Sequence, residues 1–219
     1  VPAVDVIVGP GNSYVQEAKR QLAGYTGIDS IAGPSELVVV ATEPADASLV
    51  ALDLAAQAEH GPDSFLCLIS PDDSLLEACE SQLSELSRRP TSTDASVAIV
   101  KARDVGQAIR LADALAPEHL QVVGEQAEGL VDQIRTAGCV FVGRDSATAF
   151  GDYVVGTNHV LPTAGSARFA SALSVDTFTR RMAKVYVDDQ SAQSLAMAGQ
   201  AIAECEGFFL HAESMVKRL

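Results

Sequence analysis

The four histidines of the chain, His60, His119, His159 and His211, all have carboxylate or amide neighbours at short range. Gln57 and His60 stand three apart within a helical pattern, which puts their Cβ atoms about 5–6 Å apart on one face and lets both reach one metal ion. Imidazole nitrogen with oxygen donors suits Zn²⁺ or a similar divalent ion, and a complete site needs about two further ligands from distant sequence. Asp152 and His211, each at a segment end near a glycine, are the candidates. Glu118 and His119 follow Pro117, which ends the preceding helix. Adjacent side chains diverge on a regular helix or strand, so both can face one cavity only at an irregular junction. A carboxylate and an imidazole there make a general acid/base pair near neutral pH. The bland alternative is a capping Glu beside a half-buried His.

Two turns carry weaker signals. Gly9-Pro10-Gly11-Asn12 follows a strand pattern and opens a helix, where backbone N–H groups favour an anion such as phosphate. It departs from the dinucleotide fingerprint because Tyr14 stands where a third glycine belongs, and an ordinary capped helix start explains it equally well. Gly33-Pro34-Ser35-Glu36 offers one hydroxyl and one carboxylate at a strand edge.

The elements that must position these groups alternate regularly. Strand patterns cover Val4–Val8, Leu37–Ala41, Ser64–Ile69, Ser96–Val100, Leu120–Val123 and Cys139–Val142, with a last run at Ala183–Val187. Helical patterns cover Ser13–Ala23, Ala45–His60, Asp73–Arg88, Val105–Ala116, Ala127–Ala137, Ser191–Glu204 and roughly 208–219. In the second of these, Leu49, Leu52, Leu54, Ala55 and Ala56 form an apolar stripe. Short, continuous apolar strands alternating with helices predict an α/β fold with a parallel sheet under covering helices. From Gly143 to about Ala170 the pattern gives way to a Gly/Thr/Ser/Asn-rich functional loop carrying Asp152 and His159.

Composition narrows the partners. Fifteen Lys+Arg against twenty-nine Asp+Glu leave a net charge of −14 over 219 residues, which disfavours nucleic acid. The apolar runs are too short to span a bilayer. Cys67, Cys79, Cys139 and Cys205 show no C-x-x-C spacing and read as small buried hydrophobes in a reducing, cytoplasmic setting. The chain opens on Val-Pro-Ala without methionine, so either a removed leader or a piece of a longer protein is expected.

Taken together, Val8-Gly9-Pro10-Gly11-Asn12, Gly27 to Glu36, Gln57-Ala58-Glu59-His60-Gly61-Pro62-Asp63, Ala116-Pro117-Glu118-His119-Leu120, Gly151-Asp152-Tyr153 and Asn158 to Thr163 resemble histidinol dehydrogenase, in order and across nearly the whole chain. The resemblance implies a zinc-containing homodimer with shared active sites that oxidises L-histidinol to L-histidine with two NAD⁺. It implies Gln57, His60, Asp152 and His211 as ligands of one zinc per site, with His211 coming from the other subunit. It implies Glu118 and His119 as the acid/base pair, and Asn12 as an NAD contact. Ser35, His159 and Glu206 match substrate contacts, Glu206 again from the other subunit, and the zinc ligands and the acid/base pair line the same substrate site.

Family members are about twice as long, and the resemblance places this chain in their C-terminal half. Residues 1–33 then form the tail of the cofactor-binding Rossmann-like domain, and 34–174 the second part of the main α/β domain with the zinc and catalytic residues. Residues 175–219 form a small helical C-terminal domain reaching the partner's site. The sheet is expected to be incomplete, with a raw edge and apolar surface that an N-terminal companion fragment covers. Two rival readings remain: a zinc hydrolase in which Glu118 acts on metal-bound water, disfavoured by a full set of four ligands, and a non-catalytic fragment or paralogue that binds zinc or dimerises without turnover.

Overall fold

The computed structural model describes residues 2–89 and 94–218, and the chain divides into two compact units, Val1–Thr179 and Arg180–Leu219. The first unit opens with β1 (Val6–Ile7), α1 (Ser13–Leu22) and β2 (Gly27–Ile28), the two short strands pairing in parallel. It continues with β3 (Glu36–Ala41), α2 (Ala47–Ala58), β4 (Phe65–Ser70), α3 (Asp73–Leu86), β5 (Val97–Lys101), α4 (Val105–Leu115), β6 (His119–Val123), α5 (Glu125–Glu128), β7 (Cys139–Val142) and α6 (Ala149–Tyr153). These build a five-stranded parallel sheet in the order β5-β4-β3-β6-β7.

The alternation of side chains along each strand sends two apolar sets to opposite faces. Leu37, Val39, Leu66 and Leu68 pack against Val50, Leu54, Leu75, Leu76 and Cys79 of α2 and α3. Val38, Val40, Ile69, Leu120 and Val122 pack against Ala108, Ile109 and Ala112 of α4. Both faces of β3 and β4 are therefore covered, which is why their sequences run apolar without a polar alternate. The strand order reverses between β3 and β6. At the carboxyl ends of those two strands, where ligands of open α/β sheets usually bind, the chain closes on itself. Gly124 has φ +99°, a Cβ there would collide with the Thr42 carbonyl, and Ala127 N–H donates to Thr42 Oγ1.

In the β1-α1-β2 segment a buried ion pair joins the two turns. Lys19 Nζ lies 2.7 Å from Asp29 Oδ1, with 4% and 3% of the side chains exposed. Burial opposes ionisation of Asp29, yet hydrogen bonds from Lys19 and from the N–H groups of Gly9 and Ser30 hold its pKa below the usual carboxylate value. The second unit is a helical hairpin of α7 (Asp189–Cys205) and α8 (Phe209–Val216), whose buried residues are Ala196, Ala203 and Ala212. Among the described residues no helix is long and apolar enough to cross a membrane.

Several expectations need correction. Residues 183–187 form no strand; Val185 and Tyr186 are exposed and have no strand to pair with. The helix expected at 127–137 is only α5 followed by one 3₁₀ turn at Val131–Gln133. Asp113 captures the N–H groups of Arg135 and Thr136, offering the backbone an alternative to helical bonding. Strand β2 escaped notice because it has two residues, one of them glycine. The loop at 143–170 is broken by α6, which carries Asp152. Cys205 is exposed in α7 and Cys139 half-buried, so only Cys67 and Cys79 are fully buried, with burial pushing both thiols up to about 11.

The buried face of α2 is Val50, Ala51, Leu54, Gln57 and Ala58, which shares only Leu54 with the expected stripe of Leu49, Leu52, Leu54, Ala55 and Ala56; Leu52 is 46% exposed while Leu54 is fully buried. Leu54→Ala should therefore cost about 2–5 kcal/mol of stability, and Leu52→Ala under about 1 kcal/mol, as read by urea unfolding of each variant.

Candidate functional site

The acid/base candidates meet at the amino-terminal ends of β3 and β6. Helix α4 stops at Ala116, which takes the left-handed conformation (φ 51°), and Pro117 prevents its continuation. Glu118 thus lies in the irregular step before β6, and its carboxylate can turn toward β3. Glu118 Oε2 accepts hydrogen bonds from Ser35 Oγ (2.8 Å) and from the Glu36 N–H (2.9 Å). It lies 3.4 Å from His119 Nδ1. Gln57 Nε2 donates to Ser35 Oγ at 2.5 Å, which links α2 to this cluster.

Glu36 is the residue that the sequence reading undervalued. Its Oε2 accepts from the Glu118 N–H (3.1 Å), and its Oε1 accepts from the Ala164 N–H (2.9 Å). Its carbonyl oxygen lies 3.1 Å from His119 Nδ1. A carbonyl only accepts, so Nδ1 carries the proton and Nε2 of neutral His119 is left as the base. Burial pushes the Glu36 carboxyl up, against the two backbone N–H bonds that favour its ionised form. The sequence signal was only a carboxylate beside Ser35; the 82 residues that separate Glu36 from Glu118 gave no sign of their contact.

Burial pulls the His119 imidazole pKa down, but the adjacent Glu118 carboxylate, the Glu36 carbonyl and the charge of Asp152 lift it above its ordinary value. The ring is 3% exposed and lies tilted against Phe141, with centroids 5.9 Å apart.

Of the proposed metal ligands, His60 Nε2 and Asp152 Oδ2 come within 3.7 Å of each other, with 49% and 21% of the side chains exposed. Two donors each about 2.1 Å from one tetrahedral ion are about 3.4 Å apart, so this pair fits a shared cation. Gln57, on the buried face of α2, gives its N–H to Ser35, and its carbonyl oxygen remains as a donor. Among the described residues no group of three His, Cys, Asp or Glu side chains gathers as a metal cluster. His211 and Glu206 belong to the second unit, Glu206 at the C-cap of α7 and His211 on α8 with its ring 5.3 Å from that of Phe208. His159 is exposed, on the strap where Asn158 Oδ1 accepts from the Val160 N–H.

Asn12 caps α1, its Oδ1 accepting from the Val15 N–H at 3.2 Å, and the first turn of α1 contains no acidic residue. With the Val15 N–H taken by Asn12, the remaining N–H groups at the start of α1 fit an anionic group such as a pyrophosphate. Beneath the acid/base pair lies a second polar contact: Gln121, two residues along β6 from His119, donates to Asp53 of α2 at 2.6 Å. An apolar groove of about 370 Å³ lined by residues including Leu52, Leu83, Val97 and Ile99 carries none of the candidate residues.

The family model described as histidinol dehydrogenase matches residues 1–219. The chain belongs to the histidinol dehydrogenase family. It is 47% identical over 226 residues to the histidinol dehydrogenase of Gluconobacter oxydans, covering 100% of this chain and 53% of that protein. It is 44% identical over 222 residues to that of Rhodopirellula baltica, covering 98% and 48%. The crystal structure of histidinol dehydrogenase from Elizabethkingia anophelis superposes with a TM-score of 0.90 at 36% identity, over 100% of this chain and 52% of that one. The α/β architecture with its small helical C-terminal region is thus that of the family, and the chain spans about half the length of the curated relatives it matches.

The raised His119 pKa has a sign that can be measured. Between about 6.5, the unfolded value, and the higher native value, the native chain holds more protons than the unfolded one. Its contribution to stability is complete below 6.5 and is lost as pH rises through the native value. Glu118→Gln removes the carboxylate that lifts the imidazole. NMR titration of the imidazole resonances should show the His119 pKa above 6.5 in the wild type and lower in the variant, with a correspondingly flatter pH dependence of unfolding.

Proposed function

We propose that this chain carries the zinc and acid/base half of a histidinol dehydrogenase, oxidising L-histidinol through histidinal to L-histidine in histidine biosynthesis with two NAD⁺. The observation that carries this reading is the connected chain Gln57–Ser35–Glu118–His119, which ties a proposed metal ligand to a buried acid/base pair.

Gln57, His60 and Asp152, completed by His211 from a second copy, would hold the zinc. Bound there, zinc supplies a fixed template for a substrate that presents an imidazole and an amine. Asn12 and the start of α1 would hold NAD⁺, which would supply the hydride acceptor for each oxidation. His119, with Nδ1–H fixed on the Glu36 carbonyl, takes the alcohol proton at Nε2 while the C–H electron pair leaves as hydride, giving the aldehyde. Glu118 then removes a proton from water as its oxygen adds to the aldehyde carbon, and the hydrate loses a second hydride and a proton to give the acid. His119 and Glu118 sit too deep for bulk water to compete freely, which protects the reactive aldehyde. Ser35 orients Glu118, and Ser35, His159 and a second copy's Glu206 contact the substrate. The working assembly is a homodimer with shared sites, accompanied by a polypeptide that covers the outer strands β5 and β7, where Ile99 and Val142 are 37% and 39% exposed.

A second reading, zinc binding or dimerisation without turnover, draws on the two-member His60–Asp152 cluster and on the half-length match. Retained zinc with no NAD affinity favours it, and the intact mass of every polypeptide in the purified sample identifies any companion. In the active assembly His119→Asn should lower NAD reduction from histidinol by about 10²–10⁴-fold. Glu118→Gln should slow acid formation more than aldehyde formation; equal losses in the two half-reactions would remove its role as water activator.

A further inference from the structure

Lys19 is 3% exposed, and lysine is almost never fully buried unless paired. Its ammonium has three N–H donors and no acceptor, and all three are taken: by the Gly9 carbonyl, by Asp29 Oδ1 at 2.7 Å and by the Ser30 carbonyl at 3.2 Å. Lys19 therefore has nothing left to offer a ligand. Asp29 completes the arrangement, with Oδ2 accepting from the Gly9 N–H at 2.7 Å and Oδ1 from the Ser30 N–H at 2.6 Å. Both the N–H and the C=O of Gly9 thus end on one buried ion pair. Gly9 has φ +110°, a conformation that a side chain would strain, and it begins the turn that leads to Asn12 and α1.

Stability alone does not account for this pair. Breaking a buried ion pair is strongly destabilising, yet replacing both partners by apolar groups is often neutral or better. The specific consequence of the pair is geometric: it joins the turns that follow β1 and β2, at the carboxyl ends of both strands, and sets where α1 starts. We propose that Lys19 and Asp29 are positioning residues for the dinucleotide, holding the Gly9–Asn12 turn so that the α1 N-terminus presents its N–H groups to a pyrophosphate. The inference rests on the reading of Asn12 as an NAD contact.

The test compares Lys19→Met, Asp29→Leu and the double variant in the assembly as purified. The measurements are the NAD dissociation constant, zinc affinity, unfolding free energy and amide exchange at Gly9. The single variants should lose stability and NAD affinity together. The double variant should regain most of the stability while its NAD binding stays about tenfold or more weaker than wild type, because the ligand must now order the turn itself. Zinc affinity should not change, and the Gly9 amide should exchange faster. If the singles do not fold, the double variant carries the test. An NAD constant in the double variant equal to wild type, or one that recovers in step with stability, would overturn the positioning role alone. Failure of the wild type to bind NAD would overturn the cofactor reading and this inference with it.

Discussion

Two carboxylates at the start of adjacent parallel strands, Glu118 buried and Glu36 half-buried, each accept the other's peptide N–H, Glu36 N–H on Glu118 and Glu118 N–H on Glu36. This exchange fixes the relative height of β3 and β6 at the point where the strand order reverses. It leaves the Glu36 carbonyl facing His119 Nδ1 and the second Glu36 oxygen facing Ala164. Like charges this close are unfavourable without compensation, and the compensation is the ring of N–H, O–H and imidazole donors around them. The left-handed Ala116 and Ala164, each costing about 1–2 kcal/mol, flank the same exchange, and the bonds around them hold the backbone there.

The site stands at the end of the sheet opposite to the usual one. With the carboxyl ends of β3 and β6 sealed by Gly124 against Thr42, what opens beside the amino ends are the last turns of α2 and α4. The carbonyl end of a helix carries partial negative charge and favours cations. Gln57, His60 and Glu118 sit within a few residues of those two helix ends. The β1-α1-β2 segment has the reverse polarity: strand carboxyl ends and a helix N-terminus with no acidic side chain in its first turn. One chain thus offers a cation-favouring end on one sheet and an anion-favouring end on another, a division of labour suited to a metal and a dinucleotide.

Much of this was legible in advance because the signals were local. Leu37–Ala41, Ser64–Ile69 and Leu120–Val123 read as covered strands since both faces of the sheet are packed there, and the Pro117 junction followed from what proline does to a helix. Glu36 was passed over because its role depends on a partner 82 residues away, and no spacing rule reaches that far. Residues 183–187 misled because β-branched composition describes a strand only when a neighbour exists. The expected stripe on α2 meets the core only at Leu54, because the buried face runs through Gln57, a polar residue that hydrophobicity alone does not count.

Helix α2 carries Asp53, Gln57 and, just past its end, His60; the first two hydrogen-bond to Gln121 on β6 and Ser35 before β3, and the third lies 3.7 Å from Asp152 on α6. Three separate parts of the fold are thereby geared to a single rigid rod. A roll or slide of that rod displaces all three contacts in concert, so the alignment of the proposed ligands and that of the proposed proton-transfer pair cannot drift independently. Reshaping the packing beneath Val50 and Leu54, far from any reacting atom, would retune both together.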